Sequence, residues 1–323
     1  MSVVSPSVAT SGRRVAPGRA TTRGVTTASG TTGSSRAKDY SAGDVRVVFV
    51  PGYLSDAAAY VDAATALERA LLARSAGSSG RARVDVVPVT RRDWWPTLAG
   101  GDFAHVVRKI DATVRKSCEE VDGARVALVG HSAGGWLGRL YLGDERYRGE
   151  TFGGRRYVRA LVTLGTPHAS AEAYPFGRVA EHRDGERADA LSADARGSSL
   201  AFVNELYPGA FFDDVKYVNV IGDVGPEGAD SFDVLGAMFT TDDASESLPH
   251  RLARAWRAFV FGVSYRANCR DARARGDGVV PIATATLDRA QTLILPIVHH
   301  QPSVGEPWYG SPEVIERWCD ALL

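Results

Sequence analysis

The residues with the clearest chemistry form the stretch Gly130-His131-Ser132-Ala133-Gly134-Gly135. It follows the apolar run Val126 to Val129 and precedes Trp136, Leu137, Leu140 and Tyr141 at helical spacing. The pattern G-x-S-x-G between a buried strand and a helix reads as a nucleophile elbow, a turn so tight that the serine adopts positive φ and stands clear of the sheet edge. Such a turn closes only if the residues two before and two after the serine are small, here Gly130 and Gly134. A serine hydroxyl is a poor nucleophile unless a base lies within hydrogen-bond reach. The base in turn needs a carboxylate to fix its tautomer and stabilise the imidazolium.

On elbow folds these partners follow in the order serine, acid, histidine. The histidines after Ser132 are His168, His182, His250, His299 and His300. His168 follows a strand next to the elbow, in reach of a pocket wall. His182 and His250 fall in irregular stretches and read as solvated. The pair His299-His300 follows the last strand, where the order rule places the base. On an extended segment neighbours point opposite ways, so only one of the two can face Ser132. Asp277 in the turn Gly276-Asp277-Gly278 and Asp223 at a strand end both qualify as the acid. Asp277 is preferred, because a glycine on each side suits a turn that presents the carboxylate. Stabilising the oxyanion calls for backbone donors. One is expected at Ala133, just past the nucleophile. The other is expected in the loop Pro51-Gly52-Tyr53-Leu54, at Tyr53 or, failing that, Leu54.

These residues need a scaffold. Strand-like runs occur at 44–50, 84–89, 126–129, 158–164, 215–221 and 291–297, each followed by a turn. Helical patterns separate them: one carries Tyr60, Ala64, Leu67 and Leu71, and another, capped by Asp102, carries Phe103, Val106, Val107, Ile110, Val114 and Cys118. A last helix begins at Ser311-Pro312 and carries Val314, Ile315, Trp318 and Leu322. The alternation predicts an α/β chain with a doubly wound, mostly parallel sheet. Two stretches, 169–212 and 224–275, interrupt it and are read as cap-like insertions over the site. Trp94 and Trp95, in a loop, are read as exposed aromatics near the pocket mouth.

Residues 1–38 hold Arg13, Arg14, Arg19, Arg23, Arg36 and Lys38 and no acid. Of 38 basic residues that leaves 32 against 38 acidic ones, a net of −6 for 39–323. A body of that sign is a poor nucleic-acid binder. The leading segment, rich in Ser, Thr, Ala and Arg, reads as a disordered transit peptide for a plastid, with mitochondrion or cytoplasm as alternatives. No run approaches the length of a membrane span. Neither a phosphate loop, a C-x-x-C pair nor an H-x-x-x-H pair is present, so no metal and no cofactor is expected. Cys118, Cys269 and Cys319 are read as unpaired thiols.

Gly130-His-Ser-Ala-Gly-Gly135, Leu164-Gly-Thr-Pro-His168, Gly276-Asp-Gly-Val-Val-Pro281 and the late histidine resemble the lipase branch of the α/β-hydrolases. Within it the set looks most like the GPI inositol-deacylase-like and plastid α/β-hydrolase proteins of plants and algae. The resemblance implies Ser132, Asp277 and His300 as the triad, His300 because it precedes a residue-Pro pair, Gln301-Pro302. It also implies hydrolysis of carboxylic esters, with acyl lipids as candidate substrates and peripheral membrane contact as a corollary. A thioesterase, an acyltransferase or a non-catalytic binding protein on the same scaffold are the alternatives. True GPI inositol-deacylases span the membrane many times and this chain has no such segment, so inositol deacylation does not carry over.

Overall fold

The computed structural model describes residues 44–75, 80–98, 101–120, 124–170, 198–225 and 262–323. The leading segment 1–38, most of both insertions, His182 and His250 lie outside the described residues.

Six parallel strands form one sheet: β1 (Val45–Val50), β2 (Ala82–Val86), β3 (Val126–His131), β4 (Val158–Leu164), β5 (Lys216–Asp223) and β6 (Gln291–Pro296), in the order β2-β1-β3-β4-β5-β6. The helices are α1 (Val61–Arg74), the single turn α2 (Trp95–Leu98), α3 (Ala104–Glu119), α4 (Ala133–Leu142), α5 (Ser199–Leu206), α6 (Ile282–Ala285) and α7 (Pro312–Trp318). A further helical stretch covers 262–269. Among the described residues no helix is long and apolar enough to cross a membrane.

Alternating side chains of the central strands feed two cores, because successive residues of a strand face opposite ways. Val48, Val50, Val126 and Leu128 pack with α3, α4 and α5 on one face. Val47, Phe49, Ala127 and Val129 pack with α1 and α7 on the other. In α3 the 3.6-residue spacing puts Val106, Val107, Ile110 and Val114 wholly out of water, a gain of roughly 1.5–3 kcal/mol for each large side chain. Asp102 Oδ1 accepts the Ala104 N–H at 2.8 Å and so supports the first turn of α3. Buried Arg139 of α4 donates to Asn204 Oδ1 at 2.8 Å and to the Tyr207 carbonyl at 2.7 Å, tying α5 to α4.

The sheet order reverses direction between β1 and β3, so the crossovers from these neighbouring strands leave on opposite faces. A crevice opens there beyond their carboxyl ends, the place where open α/β sheets bind ligands. Two expectations are corrected. β2 ends at Val86 rather than Val89, since Pro88 has no N–H to give the ladder. Trp94 is fully buried, its Nε1 donating to the Ser55 carbonyl at 2.7 Å; only Trp95, 63% exposed, faces solvent. Its indole has a backbone acceptor inside, which sequence spacing could not reveal.

Candidate active site

Ser132 stands where β3 turns into α4, with φ 52° and ψ −127°. That left-handed, strained backbone is held by the Ser132 N–H donating to the Leu164 carbonyl at 2.8 Å. The turn is too crowded for side chains on its flanks. A methyl on Gly130 would lie 2.5 Å from the Gly134 backbone, and one on Gly134 would run into the Val50 carbonyl oxygen. Ala133 is the first residue of α4, so its N–H is among those with no partner inside the helix. The serine is partly exposed.

His300 reaches the same place from the loop after β6. Its Nδ1 lies 2.7 Å from Asp277 Oδ2; a carboxylate only accepts, so Nδ1 carries the proton and Nε2 is left as the acceptor. Asp277 is fully buried, and the described partners of its carboxylate are all donors. Oδ1 accepts the N–H groups of Val279 at 3.0 Å and Val280 at 2.7 Å, and Oδ2 also accepts the Tyr309 hydroxyl at 2.8 Å. Tyr309 itself accepts the Gly222 N–H at 2.6 Å, which fixes the direction of its own proton. Burial alone would push the Asp277 carboxyl up, but the His300 ring and the backbone donors outweigh it and hold it below the usual range.

The alternatives sit elsewhere. Asp223 is engaged by Arg275 and the Gly225 N–H. The His299 Nδ1 lies 3.3 Å from the Pro307 carbonyl. His168 is buried behind the crevice, with Nε2 3.3 Å from Thr163 Oγ1 and its carbonyl accepting Asn204 Nδ2; its neighbour Pro167 reaches the cleft instead.

Ser132, Ala133, His300 and Tyr53 line one cleft of about 190 Å³, with Phe103, Trp136, Pro167, Leu200, Val279 and Val280 making most of the remaining wall. The Tyr53 ring packs edge-on against Trp94 and Phe103, and its hydroxyl lies 2.9 Å from Thr97 Oγ1. The side chain is thus a wall, while the backbone just before it passes the nucleophile: a methyl on Gly52 would lie 3.1 Å from Ser132 Cβ.

Known structures resemble this one at low identity. A Bacillus licheniformis lipase in propeptide form is 18% identical, aligned over 83% of this chain and 49% of its own, with a TM-score of 0.46. The phospholipase PlaB of Legionella pneumophila is 14% identical over 82% of this chain and 55% of its own, with a TM-score of 0.45. A Bacillus anthracis bromoperoxidase is 13% identical over 86% and 90%, with a TM-score of 0.37. The chain thus spans about half the length of the lipase and the phospholipase. No family model and no curated protein matches the sequence. The parallel sheet, the elbow after β3 and the order Ser132, Asp277, His300 along the chain are those of an α/β-hydrolase fold.

Three residues of this neighbourhood escaped the sequence reading: Tyr60, His131 and Tyr309. Tyr60 reads as one more apolar position of a helix face, and Tyr309 lies in an irregular stretch far along the chain from Asp277. His131 is the x of the elbow pattern, where any residue is allowed. It is nevertheless buried, and burial, aided by nearby His300, pushes its imidazole down to about 3.

This sets a pH dependence of stability. Unfolded histidine titrates at about 6.5. Between that value and about 3 the unfolded chain binds a proton that folded His131 refuses, so stability falls as pH drops through this window. His168, also depressed by burial, acts in the same direction. Asp277 adds a later loss, because its depressed carboxyl stabilises the fold above the unfolded carboxylate range and ceases to do so in stronger acid. For His131 alone the expected loss between pH 7 and about pH 5 is ~2 kcal/mol. Denaturant unfolding at both pH values should show a pH dependence shallower by that amount in His131→Gln. Equal slopes in the two proteins would mean that His131 is not held neutral.

Proposed function

We propose that this chain is a serine hydrolase of carboxylic esters with an apolar, lipid-like acyl group. The observation that carries the reading is the sharing of one apolar cleft by Ser132, on its strained elbow, and His300, locked to buried Asp277. Ser132 Oγ attacks the ester carbonyl as its proton passes to His300 Nε2. Asp277 stabilises the imidazolium so formed, and the N–H groups of Ala133 and Tyr53 receive the oxyanion. His300 then gives the proton to the leaving alcohol. Water, activated by the same ring, releases the acid from the acyl-serine.

The wall of Phe103, Trp136, Leu200, Val279 and Val280 supports an apolar acyl group. Each methylene it removes from water contributes ~0.8 kcal/mol, about fourfold in kcat/KM. A series of p-nitrophenyl esters of increasing acyl length should therefore show kcat/KM rising stepwise until the cleft is filled. A flat or falling series would rule out the acyl assignment, and no turnover of any member would rule out the hydrolase.

A further inference from the structure

His131 and Tyr60 take no part in the proposed chemistry, yet both are buried beside it and their polar atoms are all engaged. His131 Nε2 lies 2.9 Å from the carbonyl oxygen of His300. A carbonyl only accepts, so Nε2 carries the ring proton and Nδ1 of the neutral ring is an acceptor. Nδ1 lies 2.7 Å from the Tyr60 hydroxyl, which must therefore donate to it. The same hydroxyl accepts the Gly52 N–H at 2.9 Å. The chain Gly52 N–H to Tyr60 O–H to His131 to the His300 carbonyl thus runs in one direction, each donor and acceptor used in turn.

Its ends matter. Gly52 lies in the loop after β1, next to Tyr53, the proposed oxyanion donor; a methyl on it would lie 3.0 Å from His131 Nδ1. The other end is the backbone of the base. His131 itself is fixed to Ser132 by the chain and sits in a cage of rings, with Tyr60, Trp308, Tyr309 and His300 all within 6 Å of its centroid. Among the described residues no carboxylate is hydrogen-bonded to it, and burial outweighs the nearby charge of Asp277 in keeping the ring neutral.

We infer that Tyr60 and His131 are positioning residues that tie the oxyanion loop after β1 to the loop presenting His300, so that both are set against Ser132 from one rigid point. The inference rests on the hydrolase reading above. Misplacing reacting groups by about 1 Å costs on the order of 10²-fold, and a hydrogen bond that holds geometry should act on turnover rather than on substrate binding in a wall it does not touch.

The test compares Tyr60→Phe, His131→Leu and His131→Gln with wild type on a soluble p-nitrophenyl ester, with thermal melts alongside. Glutamine offers one acceptor and one donor at roughly the spacing of the two ring nitrogens and can rebuild the relay; leucine cannot. Expected are losses in kcat of ~10-fold to 10²-fold for Tyr60→Phe and His131→Leu with KM within about twofold, and recovery of most of the loss in His131→Gln. Wild-type kcat in Tyr60→Phe, a rise in KM at unchanged kcat, or glutamine as impaired as leucine would each overturn the relay. Tyr60→Phe keeps its ring against Phe49 and decides the matter by itself if His131→Leu does not fold. A wild-type protein that neither turns over ester nor labels with a fluorophosphonate overturns the hydrolase reading and the relay together; an active wild type with unaffected variants overturns the relay alone.

Discussion

Ser132→Ala is expected to abolish ester hydrolysis in a protein that folds as before, with kcat falling ~10⁶-fold to the residual rate that binding and the oxyanion donors supply. The fold does not depend on the hydroxyl. The hydrogen bonds that hold the elbow are made by backbone: Ser132 N–H to the Leu164 carbonyl at 2.8 Å and Gly135 N–H to the Ser132 carbonyl at 3.1 Å. Alanine bears the same Cβ as serine, so the cost of φ 52° is the same in both. Melting temperature and kcat measured on one preparation separate the two contributions. Wild-type turnover in a folded Ser132→Ala protein would eliminate the mechanism.

His300→Ala is expected to lose ~10³-fold or more in kcat, as removal of a triad member does. His299→Ala should lose far less, since its Nδ1 faces Pro307 and its ring covers Gly305 rather than the cleft. A larger loss in His299→Ala would reverse the assignment. Asp277→Asn is a harsher change than its size suggests. Both carboxylate oxygens accept hydrogen bonds, from His300 and Tyr309 on one side and from Val279 and Val280 on the other. Either orientation of an amide therefore turns an NH₂ toward donors, leaving buried polar groups unpaired at ~1–3 kcal/mol each. The variant should lose about 10⁴-fold in kcat through the wrong tautomer of His300 and melt at lower temperature as well. A kcat near wild type would show that Asp277 does not orient the base.

The elbow was legible in the sequence because everything that makes it is local. Gly130 and Gly134 each lie two residues from Ser132, and their missing side chains are what let β3 and α4 meet at that angle. The order of strands and helices was legible for a similar reason, since the period of apolar residues is a property of each segment alone. Choosing Asp277 over Asp223 was a matter of turn type in the sequence. In the tertiary structure it becomes a matter of which carboxylate meets His300 and which meets Arg275. Likewise, Trp94 next to Trp95 looks like its twin until Ser55, 39 residues earlier, supplies its acceptor. Tyr60, His131 and Tyr309 were not legible at all as parts of a site. Their roles arise from hydrogen bonds to residues 71, 169 and 32 positions away. Such bonds exist only once β1, β3 and the loop after β6 are brought side by side. The residue types and their order along the chain pointed to a nucleophile and the class of its partners; the packing of distant segments is what pairs His300 with Asp277 and brings that histidine into the cleft that Ser132 lines.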